Sequence, residues 1–513
     1  MLDLGSSGLE PVGTMEGRLG HRLTWQPDAA ATGCATIWYQ LIRRPSASTA
    51  RRQVTAFAFG VLVLLAALNV YAPGSPTPLQ RLLASLIIVA AAVPTFRWLR
   101  DLDPGVAFMP FWGLVYAGYY AAPVFLLERF SRAYYLTGII ADESIERALI
   151  LALLGVLVTL VGYCGPFVRP VASLMPKLEM RWERQRISPA VVGYVLGSTG
   201  LVAYLVSVTL SVPVWIRGIL SWLGDLSLVA IVYLFLVDLL GYRSRTGRLF
   251  LWVVLVPLRF VLGVTSGATY QGLSVMAVLM LTYATTRRRV PVAWIVVGVS
   301  LFVVLRTIQV PFRDLTWQEG RSAIGVFERG SVMAEISLRA IGQEDFLETA
   351  WQVGLSRISH LMTLAEVVGL TPEYVPFWGG ETYRPIIWKL VPRLIYPDKP
   401  METTGQEFGH RYGFLAADDF VTSYNLPQLV EFYANFGVLG VGFGMFFIGV
   451  FYRLVQAMFV HPRMGLGAAV AVLYLSTKLL LIESGLSLVL GGVFQGVLFV
   501  VLVHAGLVAW TVV

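Results

Sequence analysis

Apolar stretches of about 20 residues recur along this chain, and a helix of that length just crosses the hydrocarbon of a bilayer. They fall at roughly 54–73, 79–97, 106–127, 148–167, 189–211, 222–241, 249–267, 271–286, 291–308, 436–457, 465–482 and 487–510. Hydrophobic residues make up 56% of the 513 and charged residues only 14%. A water-soluble chain of this length needs more polar surface than that, so lipid is its main solvent. The expected fold is an all-α polytopic membrane protein with about 12 transmembrane helices.

Charge supplies the expected orientation. Between Gln309 and Asn435 there are 10 Lys/Arg against 16 Asp/Glu, which leaves 29 and 15 for the rest of the chain. Positive charge on short connections marks cytoplasmic loops and is poor evidence for nucleic-acid binding. With both termini inside, Arg97, Arg100, Arg169 to Arg186, Arg243 to Arg248, Arg287 to Arg289, Arg453 and Arg463 all fall on the cytoplasmic side. The acidic segment then lies outside. This alternation depends on the short SGATYQG separating 249–267 from 271–286, because fusing the two would break it.

The organisation expected is a disordered cytoplasmic arm at 1–52, nine helices in 53–308, a large periplasmic loop at 309–435 and three helices in 436–513. The arm lacks the apolar core of a signal peptide, so the first span reads as an uncleaved insertion signal. Within the loop, the apolar spacing of Trp351, Leu355, Ile358, Leu361 and Met362 predicts an amphipathic helix over 347–370. Its four prolines at 385, 392, 397 and 400 impose turns or extended backbone. No internal repeat is visible, unlike the two-repeat plan of many transporters. Cys34 and Cys164 have neither CxxC nor metal-ligand spacing.

A loop of this length usually carries function. It holds Arg384, Arg393 and Arg411, whose guanidinium forks suit phosphate oxygens, with Arg313 near its start. Trp378, Tyr383, Trp388 and Tyr424 offer faces on which sugar rings can pack, or equally mark where the loop meets headgroups. Together they suit a substrate with a diphosphate and a glycan, as in a polyprenyl-diphosphate donor. Transfer from such a donor needs a base for the attacking hydroxyl. His410 and Glu407 are rivals for that role, and His360, three residues after Arg357, is a third candidate. Arg259 and Arg306 lie in or at the edge of apolar runs, where arginine marks a functional site or an ion pair, for Arg259 with Asp238. Lys478 and Glu483 read as structural. No metal site is expected, since Asp418-Asp419 stands without clustered ligands. The glycines of GVLGVGFG at 437–444 read as helix packing.

The series VPRLIYPDKP…GQEFGHRYG…DDFVTSYNLPQLVEFYANFGVLGVGFG resembles the oligosaccharide repeat-unit polymerases, the O-antigen polymerase (Wzy-type) group of bacterial inner membranes. The carrying residues are Pro392-Arg393, Pro397, Lys399-Pro400, Gly405, Phe408-Gly409, Tyr412-Gly413, Ser423, Pro427, Glu431 and Asn435-Phe436-Gly437, over roughly 380–445. The resemblance implies a metal-independent glycosyltransferase without cofactor. A growing glycan on undecaprenyl diphosphate would be passed to a new lipid-linked repeat unit at the periplasmic face. Partners would be that lipid-linked oligosaccharide, the bilayer, a chain-length regulator and a flippase. It also implies loop arginines on the diphosphate, with Arg384, Arg393 and Arg411 first and Arg259 and Arg313 second. The family's arginine-to-glycine spacing has ten intervening residues, whereas Arg393 to Gly405 has eleven here, so no roles are carried over by that motif.

Three other readings share the same hydropathy: the related O-antigen ligase, a lipid-linked oligosaccharide flippase or other transporter, and a structural partner of a glycan-export complex. Arg393→Ala and Arg411→Ala are expected to abolish chain extension while the protein still inserts. Arg→Lys should also be damaging if the contact is a bidentate fork. Unchanged polymer length in both alanine variants refutes the assignment.

Overall fold

The computed structural model describes residues 46–512 except 72–75, 103–104, 127–139, 183–186, 211, 243, 267–268, 319–325, 347, 352–353, 355–358, 392–394, 397 and 421. The arm expected at 1–52 thus lies almost wholly outside the described residues. The helices used below are α1 (Ala47–Tyr71), α2 (Pro78–Leu99), α3 (Phe108–Tyr120), α4 (Asp142–Cys164), α5 (Pro189–Thr209), α6 (Val214–Leu239), α7 (Arg245–Thr265), α8 (Thr269–Arg287), α9 (Val292–Gln318), α10 (Val326–Ile341), α11 (His360–Leu370), α12 (Thr404–Arg411), α13 (Gln428–Phe459), α14 (Leu466–Leu479) and α15 (Leu486–Val512). No strand occurs among the described residues.

Among those residues, nine helices are long and apolar enough to cross a membrane: α1, α2, α4, α5, α6, α7, α9, α13 and α15. The chain is an all-helical membrane protein. The other three expected spans correspond to helices that miss one criterion. α3 has 13 residues and α14 has 14. α8 has 19 but carries Gln271, Ser274, Thr282, Thr285 and Thr286. α14 owes its character to its place, packed against α6, α8, α13 and α15 with every residue but Lys478 buried. A helix that is apolar on all sides is a core helix, and the small Gly467, Ala468, Ala469 and Ala471 let its neighbours close around it. At the other extreme, α1 buries none of its residues.

One helix ends at Thr265 and the next begins at Thr269. α7 and α8 are separate helices packed side by side, so closely that a Cβ on Gly263 would lie 2.7 Å from the Gly272 nitrogen.

The helix expected over 347–370 is not continuous: residues 348–351 and 354 are helical, ahead of a break at Ser359. α9 itself runs to Gln318, and α10 folds back on it, with Met333 buried among Leu305, Ile308, Phe312 and Val264. α11 then begins only at His360, after Ser359 takes non-helical angles (φ −80°, ψ 70°). Residues 360–368 are all buried, against α4, α13 and α3. Leu361 and Met362 are therefore core residues inside the bundle, and a helix buried on every face is not an interfacial one.

α13 is a hairpin, not one rod. Phe436 (φ −142°, ψ 19°) and Gly437 (φ 61°, ψ −144°) leave the helical region. On a straight helix Phe432 and Gly444 would stand about 18 Å apart. Instead a Cβ on Gly440 or Gly444 would run into Phe432, and Leu429 and Met445 both reach Gly155 on α4. The first leg, 428–435, thus lies buried alongside the second, 438–459. The positive φ and negative ψ of Gly437 belong to a region open to glycine alone. Gly437→Ala should cost roughly 1–3 kcal/mol through that backbone strain, with its Cβ also meeting Phe377 at 3.2 Å. The expected reading is a lower thermal midpoint in detergent, against an unchanged one for Gly442→Ala, whose Cβ would meet nothing within 4 Å.

Candidate functional site

Reversing a helix leaves carbonyls at its end without intrahelical partners. In α13 the segment 378–380 supplies them. Trp378 N–H donates to the Ala434 carbonyl at 3.0 Å and Gly379 N–H to that of Asn435 at 3.3 Å. The Asn435 side chain completes the junction, accepting from Gly380 N–H at 2.8 Å and donating to the Thr382 hydroxyl and the Glu431 carbonyl, each at 2.8 Å. One turn earlier, Glu431 is 1% exposed and accepts the Leu486 N–H, at the start of α15, at 2.6 Å. These two side chains therefore join the loop, the broken helix and the last helix at one end of the bundle.

Around that junction lie several of the expected residues. Arg411, the last residue of α12, sits with its guanidinium 4.3 Å from the centre of the Trp378 ring and donates to the Pro376 carbonyl at 2.7 Å. No carboxylate pairs with it among the described residues. His410 Nε2 lies 2.9 Å from the Asp419 carbonyl. A carbonyl can only accept, so Nε2 carries the proton and the lone pair is left on Nδ1. Glu407 is exposed and accepts from the Thr403 hydroxyl. The Asp419 carboxylate caps a turn, accepting Thr422 N–H at 2.9 Å, while Asp418 is exposed.

Tyr383 is half-buried between Phe432 and Phe436, and burial, reinforced by the charge of Glu431, pushes its hydroxyl well above the ordinary tyrosine range. It stays a neutral phenol. Tyr424 stacks on Phe414 (4.5 Å, 10° between planes) and bonds the Thr363 hydroxyl of α11 at 3.2 Å. Its face is thus committed to packing, as one face of Trp378 is to Arg411. Trp388 is half-buried in the short turn 385–389, next to Lys389, which pairs with Glu402 at 2.6 Å. Arg384 is exposed, 3.6 Å from Glu381. Arg393 lies outside the described residues, as do Pro392, Pro397 and Arg357, and of Arg313 only the helical backbone is described.

The remaining candidates have other surroundings. His360 is buried beside the Tyr119 ring, with Nε2 3.8 Å from the Glu483 carboxylate. Arg259 is 2% exposed inside the bundle, with its guanidinium 3.8 Å from the Tyr204 ring centre. It does not pair with Asp238, which meets Arg248 at 2.6 Å. Arg306 is also buried. Lys478 turns away from Glu483 and pairs at 3.2 Å with Asp225, which also accepts from Tyr474 at 2.5 Å.

The sequence left Glu431 and Asn435 without a role, although their i, i+4 spacing just before Phe436-Gly437 was a signal. Two polar side chains on one face of an apolar run, ahead of a glycine, mark a helix end that something else must cap. Asp225, in the middle of α6, was missed as well. No cluster of three metal-ligating side chains occurs among the described residues.

A family model described as a domain of unknown function (DUF8712) matches residues 171–509, well over half of the chain, and the protein belongs to that family. No curated protein and no solved structure matches it. The matched region includes the whole junction. Asn435→Ala removes three of its hydrogen bonds and strands buried partners, each worth about 1–3 kcal/mol. Limited proteolysis of the detergent-solubilised variant should cut within 376–384 faster than in wild type, and equal protection refutes the clamp.

Proposed function

We propose that this member of the family is a polysaccharide polymerase of the bacterial inner membrane, acting on glycans carried by undecaprenyl diphosphate. Twelve spans with both termini in the cytoplasm would place residues 309–435, and the junction at Asn435, on the periplasmic side. α3, α8 and α14 would then cross within the protein core, shielded from lipid by their neighbours. The observation that carries the reading is Arg411. It is a fixed cation held on an aromatic face with no carboxylate partner among the described residues, beside two groups able to accept a proton. The resemblance over residues 380–445 supports it from the sequence side.

In this reading Arg411, with Arg384 and Arg393, meets the diphosphate and stabilises its charge as it departs. The bond between the anomeric carbon of the growing glycan and the diphosphate oxygen breaks. A bond from that carbon to a hydroxyl oxygen of the incoming repeat unit forms. The hydroxyl proton passes to His410 Nδ1 or to the exposed Glu407 carboxylate. The aromatic edges of Tyr383 and Trp388 border the ground where the sugars would lie.

A transport reading draws on one observation, the Asp225–Lys478 ion pair inside the bundle, since paired charges at such depth often line ion pathways. The two separate in a deletion strain. Loss of a polymerase leaves single lipid-linked repeat units outside and unextended, whereas loss of a flippase traps them on the cytoplasmic leaflet. Polymer that is still made but no longer attached to lipid A excludes both and leaves the ligase. The expected result is unextended units accessible to a periplasmic glycosidase.

A further inference from the structure

Arg259 is the most deeply buried cation in the bundle among the described residues, and its surroundings are incomplete. It projects from α7 toward α5 and α8, where it meets two groups: the Tyr204 ring, 3.8 Å from its carbon centre, and the Gln271 side-chain carbonyl, 3.3 Å from Nη2. The Tyr204 hydroxyl also donates to that carbonyl, at 3.1 Å, which fixes both partners. Nε and Nη1 are buried and have no hydrogen-bond partner among the described residues. Of the carboxylate-bearing helices around it, α6 touches Tyr204 through Gly224 but has its Asp225 engaged by Lys478 and Tyr474, and α10 packs on the 256–265 stretch with Glu328 exposed and Glu335 paired to Arg339. α7 and α8 contain no acidic residue at all.

A buried guanidinium is stable only when its charge is met. A ring face and one amide carbonyl give a cation orientation without neutralising it. The local backbone is equally specific. A π-helical stretch, Phe250–Leu255, lies just ahead of Arg259, and such insertions in a helix are frequent at functional sites. The extra residue turns the following face of α7, carrying Arg259 inward to α5 and α8.

We infer that Arg259, Tyr204 and Gln271 form a binding site for a phosphoryl oxyanion, the headgroup phosphate of a membrane amphiphile. Phosphate oxygens take the open Nε and Nη1 donors as charge-assisted hydrogen bonds. The depth selects the source. Arg259 is six residues from the end of α7, or about 9 Å along the helix axis, within reach of a headgroup that enters between helices while its acyl chains stay in lipid. Free phosphate offers the same oxyanion but must leave water to reach it. This site requires no glycan chemistry and stands or falls separately from the polymerase reading.

The test is the thermal midpoint of the full-length protein in neutral detergent, titrated with dioleoyl phosphatidic acid, with dioleoylglycerol, or with inorganic pyrophosphate at constant ionic strength. Phosphatidic acid is expected to raise the midpoint saturably and dioleoylglycerol, which has the same chains without phosphate, to leave it unchanged. Arg259→Gln should abolish the shift. Arg259→Lys, which keeps the charge and loses the fork, should move half-saturation up on the order of tenfold. A shift with pyrophosphate alone overturns the lipid as ligand. An equal shift from dioleoylglycerol, an undiminished shift in Arg259→Gln, or a wild-type response in Arg259→Lys overturns the site itself.

Discussion

Everything at the loop end of the bundle depends on two backbone carbonyls, those of Ala434 and Asn435. α13 reverses at Phe436-Gly437, and the reversal takes away the partners a continuing helix would have supplied. In hydrocarbon or in a packed core an unmet carbonyl is too costly to persist. The chain meets the cost with Trp378 and Gly379, and so the segment that carries the loop's aromatics and faces Arg411 is held by the same bonds that make the hairpin possible. Asn435 and Glu431 add side-chain bonds to Thr382 and to the start of α15. The candidate site is therefore a by-product of helix termination inside a membrane protein.

The resemblance residues look different in this light. Asn435 and Gly437 build the turn and its cap. Gly405 lies against Ser423 and Tyr424, and its carbonyl accepts Tyr424 N–H at 3.1 Å. Tyr412 is buried and bonds the Thr371 hydroxyl at 2.9 Å. A shared pattern of this kind specifies how a loop is folded more than what it does. The chemistry we propose would rest on fewer groups: Arg411, His410 and Glu407, all three on one short helix.

Hydropathy made the membrane character and most helices legible, because a run of apolar residues has few places to go besides lipid or core. It could not separate those two destinations. α14 reads like a span, yet almost every one of its residues is inside protein, and α11 reads as amphipathic while being buried from His360 to Val368. Aromatic residues were ambiguous for a related reason, since a ring able to pack on a sugar also packs on another ring. Tyr424 spends its face on Phe414, and one face of Trp378 carries Arg411. Ionic partners were the least legible, because they join distant positions. Nothing local tells Lys478 to choose Asp225 over Glu483, five residues away.

Glu431 and Leu486 are 55 positions apart, yet one hydrogen bond between them closes the junction. During synthesis the broken helix and its loop emerge long before the start of α15. Until that last helix is threaded into the bundle, the Glu431 carboxylate has no backbone N–H to receive and the first leg of α13 has no wall on that side. The order of translation thus keeps the junction open until Leu486 has been made. A ribosome-bound or C-terminally truncated protein would present the loop's cations without the frame that aims them.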